Sequence, residues 1–196
     1  GMNLDSSQIE KSWKNPNLEI SNFTVGDFNK PLEFDDNYFD AIYAIQPLTY
    51  VSDHAFTFKE VFRILKPGGM FVINDVAALD AYDSKNEHQR TLIQHTRELT
   101  VFGGLWYYKY WEDSFKDAGF RLISSTGRSA VEMIKKEVSL FDKYESLFKF
   151  LRKFRLIPKR TNALMQRMNM NSHSYIQAEE EKLLTLNWHC VGQKPE

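Results

Sequence analysis

Three short segments hold residue types that could do chemistry together. Asp27-Phe28 follows an alternating run at 19–25, Gln46-Pro47 follows 39–45, and Asn74-Asp75 lies near the end of 70–76. A carboxylate beside an aromatic ring at a strand end suits a purine, whose exocyclic amine needs an acceptor and whose flat face needs a stacking partner. Asn3 stands where nucleotide-binding α/β folds place a ribose-binding side chain, a position more often acidic. Alone, an Asp after a strand is most often a turn former. The order of the three segments, with Lys66-Pro67-Gly68-Gly69 before the last, is what points to a nucleoside site.

These residues meet only if a sheet gathers the strand ends. Pro67 cannot continue a helix, and its ring pushes Lys66 out of helical geometry. Gly68 and Gly69 permit the positive φ of a tight reversal. The preceding 53–65 reads as an amphipathic helix capped by Asp53, and 70–76 as a short buried strand. A helix after Asp5 places Ile9 and Trp13 on one face and stops at Asn15-Pro16-Asn17. Residues 86–100 have helical composition, 110–119 form a helix closed by Gly119, and 120–127 form a strand. Strands alternating with helices predict a parallel sheet with crossovers and ligands at the strand carboxyl ends. From 128 to 182 the composition is helical, and 183–194 is a final strand. The expected organisation is a partial α/β core over 1–127, a helical lid and substrate region over 128–182, and a last strand over 183–196 returning to the core sheet.

A chain of 196 residues with 42% hydrophobic and 26% charged residues is sized and composed as one globular domain. The net charge of −1 gives no global field for nucleic acid. The single Cys190 excludes an intramolecular disulfide, and a cytoplasmic location is expected. Five scattered His and one Cys show no metal-ligand spacing, so no metal is expected. Aromatic residues make up 14%, which suits either a large apolar cavity or a Phe-rich core. The segment 140–160 mixes Phe and Leu with Lys149, Arg152, Lys153, Arg155, Lys159 and Arg160. A basic aromatic helix can lie on an anionic membrane surface as a peripheral contact. A lid helix with a merely solvated charged face is the plainer reading, favoured by the short stripe.

The segments GMNLDSSQI, VGDFNKPLEFDDNYFDAIYAIQ and EVFRILKPGGMFVIND, taken in order, resemble the class I S-adenosylmethionine-dependent methyltransferases. IYAIQPLTYVSD, ALDAYDSKNEHQ, DSFKDAGFRLISS, RLIPK and EEEKLLTLNWHCVGQKP are similar to sterol C-methyltransferases, and the likeness runs along nearly the whole chain. The resemblance implies a Rossmann-like class I methyltransferase sheet with a helical lid insertion before the last strand, lacking the N-terminal Gly-rich β-α unit. It implies S-adenosyl-L-methionine as cofactor, with Asp27 on the adenine amine and Phe28 stacked on the ring. Asn3 and Gln8 would line the ribose and methionine side, and Gln46-Pro47 would approach the sulfonium. Gln46, Tyr50 and Asp75 would be the catalytic residues, and Phe102, Trp106, Tyr107, Tyr108 and Trp111 offer a cation-stabilising wall.

Three positions depart from the family: Gln46 where Glu is usual, Tyr50 where His is usual, and Asp75 where Glu is usual. The loss of an anion at 46 leaves two acceptor carbons open. One is the sterol side-chain alkene; the other is an A-ring carbon next to a ketone, with Asp75 or Tyr50 as base. The absent first strand predicts unpaired neighbours that pair with a second copy, rearrange or borrow the segment. Two alternatives accompany the sterol reading: a non-catalytic piece that binds lipid or a partner, and a methyltransferase for another small apolar acceptor. A location peripheral to the endoplasmic reticulum membrane is a further expectation.

Overall fold

The computed structural model describes residues 1–3, 5–15, 17 and 22–196, with backbone alone for Met133 and Phe141. Strand β1 (Met2–Asn3) leads into helix α1 (Ser6–Trp13). The Asp5 carboxylate caps α1 by accepting the Ser7 N–H at 2.8 Å, and Ile9 is the residue the helix buries. Strand β2 (Thr24–Val25) pairs parallel to β1, with Met2 opposite Thr24. Residues 19–21 of the expected alternating run, and Pro16 of the expected helix stop, lie outside the described residues.

Strand β3 (Phe39–Ile45) is followed by a 3-10 turn (Leu48–Tyr50), helix α2 (His54–Ile64) and strand β4 (Leu65–Ala78). Asp53 caps α2 through the Phe56 N–H at 2.9 Å, and His54, Thr57, Phe58, Val61 and Ile64 fall at helical spacing on its buried face. The helix stops where the sequence demands. The β3–β4 register jumps from Phe39 opposite Leu65 to Ala41 opposite Met70, so Lys66-Pro67-Gly68-Gly69 bulges out of the ladder. Gly68 adopts φ 75, and a Cβ on Gly69 would stand 2.8 Å from the Lys66 carbonyl oxygen. The chain end stitches this bulge down: the Gly68 N–H donates to Lys194 O, and the Lys194 N–H to Gly69 O, both at 2.9 Å. The Lys194 ammonium caps α2 by donating to the Phe62 and Leu65 carbonyls.

Helices α3 (Glu87–Thr100) and α4 (Tyr108–Asp117), strand β5 (Arg121–Gly127), helices α5 (Val131–Lys153) and α6 (Lys159–Glu180), and strand β6 (Leu184–Gln193) complete the chain. The main sheet has the order β3-β4-β6-β5, and β1-β2 is a separate pair. β3 and β4 run parallel, whereas β6 runs antiparallel to both its neighbours, which corrects the all-parallel expectation for the last strand. The reason is where α6 delivers the chain. Leu184 starts beside Ala78, at the carboxyl end of β4, so entering the slot between β4 and β5 means running back down it. On β3, at the border of this sheet, Tyr43 and Ile45 are 75% and 65% exposed.

Two cores result. Phe58 and Val61 of α2 and Trp111 and Phe115 of α4 pack with Phe71, Ile73 and Cys190 on one sheet face. Phe58 meets Phe115 edge-on at 5.2 Å, so much of the Phe content is core rather than cavity wall. The second core joins Leu92 and Ile93 of α3, Tyr175 and Ala178 of α6, and Val76 and Leu184 at the strand ends.

Candidate active site

At the end of β3, Gln46 takes φ 57, a left-handed conformation unusual for a residue with a side chain and concentrated at functional sites. Its N–H still donates to Asn74 O at 2.8 Å, and its amide reaches Leu186 O at 3.4 Å. The 3-10 turn beyond it is held from two sides at Leu48. The Leu48 N–H donates to Asp75 Oδ2 at 2.8 Å, and His54 Nε2 lies 2.8 Å from Leu48 O. A carbonyl partner makes Nε2 the donor, so Nδ1 accepts from the Tyr110 hydroxyl at 3.0 Å. Burial pushes the pKa of this ring down, against the Leu48 hydrogen bond.

A second loop closes on the same turn. The Gly103 N–H donates to Thr49 Oγ1 at 3.2 Å, the Gly104 N–H to Thr49 O at 2.9 Å, and the Tyr50 hydroxyl to Val101 O. Any Cβ on Gly103 would collide with the Thr49 carbonyl. Gly103→Ala is therefore expected to cost about 1–3 kcal/mol, the usual penalty of overpacking, read as a lower urea midpoint at unchanged m-value. Between turn, loop and strand ends lies a space of about 290 Å³, open to solvent and lined by Gln46, Thr49, Tyr50, Asp75, Phe102 and Leu186, with Val76 and Thr100.

Asp75 is 1% exposed, and burial pushes its pKa up to about 6 although the Val76, Leu48 and Thr49 N–H groups favour the charged form. A carboxylate offers about four acceptor sites, and the Leu48 and Val76 N–H groups, each at 2.8 Å, take two of them.

The residues anticipated as catalytic, Gln46, Tyr50 and Asp75, thus line one space, with Pro47 at the start of the turn. Asn3 and Gln8 line another, and Asn3 Nδ2 donates to Gln8 Oε1 at 2.8 Å. Asp27 turns onto its own loop: it accepts the Asn29 N–H at 3.0 Å, which draws its pKa down, and faces Lys30 at 3.7 Å. That loop is moored just past the turn that Asp75 holds. Asn29 Oδ1 accepts from both the N–H and the hydroxyl of Ser52 at 2.8 Å, and Phe28 O accepts the Thr57 hydroxyl at 3.1 Å. The Phe28 ring is partly buried against the core cluster that includes Leu48 and Val51.

Of the five aromatics expected as a wall, Phe102 alone lines the cavity. Trp111 is core, its indole N–H donating to Val76 O at 3.0 Å, and Trp106 packs on the His54 ring. Tyr108 lies on Trp188, and Tyr107 donates to Tyr82 O at 2.7 Å. The lining residues come from strand ends, the turn and the end of α3, none from α5 or α6, where a lid was expected. His54, Thr49, Thr100 and Leu186 went unnoticed in the sequence. For His54 a signal existed, a polar ring opening an apolar helix face immediately after its cap.

A family described as a methyltransferase domain matches residues 1–73. The sterol 24-C-methyltransferase of Aspergillus fumigatus is 36% identical over 134 residues, covering 63% of this chain and 33% of that protein. The chain is similar to methyltransferases over this part of its length. A second sterol C-methyltransferase is similar as well: the cycloartenol-C-24-methyltransferase of Arabidopsis thaliana is 32% identical over 131 residues, covering 63% of this chain and 38% of that one. The chain spans about a third of the length of these curated relatives. Among solved structures, the geranyl diphosphate C-methyltransferase of Streptomyces coelicolor A3(2) shares the fold at TM-score 0.65 and 13% identity, over 99% of this chain and 64% of that one.

The residues of this chain fit the nucleoside part of the cofactor its fold implies. Asp27 is an acceptor next to an aromatic residue, Asn3 and Gln8 are an amide pair in one hollow, and Asn74 Oδ1 is buried without a hydrogen-bond partner beside the Gln46 strand end. The Asp75 carboxylate supplies the negative charge that a sulfonium favours.

Proposed function

We propose that the protein transfers a methyl group from S-adenosyl-L-methionine to a carbon of a sterol or closely similar apolar molecule. The observation that supports this most is the meeting of Gln46, Tyr50 and Asp75 around one space at the carboxyl ends of β3 and β4, in a chain related to sterol C-methyltransferases. When bound, the cofactor supplies an electrophilic methyl group on a positively charged sulfur. Asp27 and Phe28 serve the purine, Asn3 and Gln8 the ribose side, and Gln46 with Pro47 the sulfonium side.

Either acceptor carbon requires a base. Methylation of a side-chain alkene leaves a carbocation that must shed a proton, and a ring carbon beside a ketone must lose one before it attacks. Tyr50 commits its proton to Val101 O, and among the described residues Asp75 is the carboxylate that lines the cavity. We therefore assign the proton to Asp75. This reading places the protein in the cytoplasm, peripheral to the endoplasmic reticulum membrane.

Calorimetry with S-adenosylhomocysteine comes first, with micromolar binding expected; no heat would overturn the reading. Incubation with methyl-labelled donor and either a side-chain-unsaturated sterol or a 3-ketosteroid then locates the label. Cofactor binding with label in neither would overturn the sterol acceptor and leave another small acceptor. The exposed Tyr43 and Ile45 of β3 favour a second reading, a non-catalytic piece that pairs with a partner or another copy along that border. That reading predicts no cofactor heat and a dimer by light scattering.

A further inference from the structure

Among the described residues, the far end of the α5–α6 hairpin buries no side chain. Between 139 and 168 no described side chain is buried, yet Tyr144, Leu147, Phe150, Phe154, Leu156 and Leu164 stand 47–68% exposed. Along α5, Leu140, Tyr144, Leu147, Leu151 and Phe154 recur at helical spacing on one face, the pattern that normally turns toward a core. The partner helix is met from the other side: Asp142 of α5 accepts from Asn169 Nδ2 at 2.9 Å and lies 3.0 Å from His173 Nε2. The left-handed Arg155, at φ 60, folds the chain back and leaves Phe154 and Leu156 at the tip.

Charge around this tip has one sign. Residues 146–178 contain seven Lys and Arg and no Asp or Glu, in a chain of net charge −1. Lys149 pairs with Glu145; Arg152, Lys153, Arg155, Lys159 and Arg160 are in no ion pair among the described residues. An apolar tip collared by cations matches the layering of an anionic bilayer, phosphate outside and acyl chains within. Among the described residues no helix is long and apolar enough to cross a membrane. A nucleic-acid surface would have no use for exposed Leu147, Leu156 and Leu164. Two copies meeting tip to tip would bring like charges together.

We propose that the tip of the α5–α6 hairpin docks this protein onto an anionic lipid surface. Phe150, Phe154 and Leu156 enter the acyl boundary, and Arg152, Lys153, Arg155, Lys159 and Arg160 contact lipid phosphates. The inference stands apart from methyl transfer, because none of these residues lines the cavity.

Vesicle co-sedimentation of the whole protein tests it. Vesicles of phosphatidylcholine with about 30% phosphatidylserine should bind it, binding should weaken with added salt, and phosphatidylcholine alone should bind poorly. Each cation near the surface is worth about fivefold in affinity, so Lys153→Ser with Arg155→Ser should weaken binding about 25-fold. Phe154→Glu with Leu156→Glu should abolish it, while Lys153→Arg with Arg155→Lys should bind like the parent. All these sites are exposed, so an unchanged urea midpoint certifies folding. No binding to the anionic vesicles, equal binding to both vesicle types, or indifference to the serine and glutamate substitutions would overturn the proposal. So would a single-stranded RNA that binds the protein more tightly than the anionic vesicles do and keeps that affinity in Phe154→Glu with Leu156→Glu.

Discussion

Glu179→Ala is expected to destabilise the protein by about 3–5 kcal/mol, because it strips the acceptor from a buried group of donors. Oε1 of Glu179 accepts from the Tyr175 hydroxyl at 2.9 Å, the Thr185 hydroxyl at 3.2 Å and the Leu186 N–H at 3.3 Å. Oε2 accepts from the Ser129 hydroxyl and from the Ala130 N–H at 3.2 Å. One carboxylate therefore ties the last turns of α6 to the entry of α5 and the first residues of β6. Burial and this carboxylate together push the Tyr175 hydroxyl far above the ordinary phenol range, so it remains a donor. Glu179→Gln keeps the volume but turns an NH₂ toward two donors, and about 1–3 kcal/mol is expected, less than for Ala. Urea unfolding of the three proteins at pH 7 decides it. A loss below about 1 kcal/mol for Ala would mean that water replaces the carboxylate. Because Leu186 also lines the cavity, the surviving folded fraction of Glu179→Ala should bind cofactor or acceptor more weakly.

The sequence revealed most where one residue's stereochemistry settles the matter. The helix ends ahead of Pro67 and the glycine pair, as read, although these residues bulge out of a strand already begun rather than precede it, and Asp5 and Asp53 cap the helices they precede. Gln46 and Asp75 could be gathered from the sequence because strand ends in a parallel pair must lie side by side, whereas Tyr50 came from the family resemblance alone. The direction of β6 could not be read, since it depends on where a helical hairpin of nearly fifty residues returns the chain. The clamp on Leu48 was equally hidden. It joins Asp75, His54 and Tyr110 across distances in sequence that no period connects, and backbone groups that accept or donate look alike at every residue. What the hairpin covers could not be read, because an apolar stripe reports that a face wants cover, not what covers it.

Asp75→Asn should separate stability from activity. The folded protein holds the Asp75 proton more tightly than the unfolded chain, with a pKa raised from 3.8 to about 6. Between about pH 4 and 6 the folded state therefore binds more protons, and its stability falls as pH rises through that window. At 1.36 kcal/mol per pKa unit the ionised carboxylate costs about 3 kcal/mol above pH 6. Asparagine carries no charge to desolvate, but it turns an NH₂ toward a backbone donor that Asp75 had satisfied. The variant should therefore lose stability relative to the parent at pH 4 and regain about 3 kcal/mol of that difference by pH 7. Methyl transfer should move the opposite way, falling about 10²–10⁴-fold at pH 7 because the proton acceptor is gone. The parent's rate should climb as pH rises through about 6, and the variant's should lose that limb. Parallel stability curves for the two proteins from pH 4 to 7 would refute the raised pKa. A full rate in the variant would remove Asp75 from the chemistry and leave it only the Leu48 turn to hold.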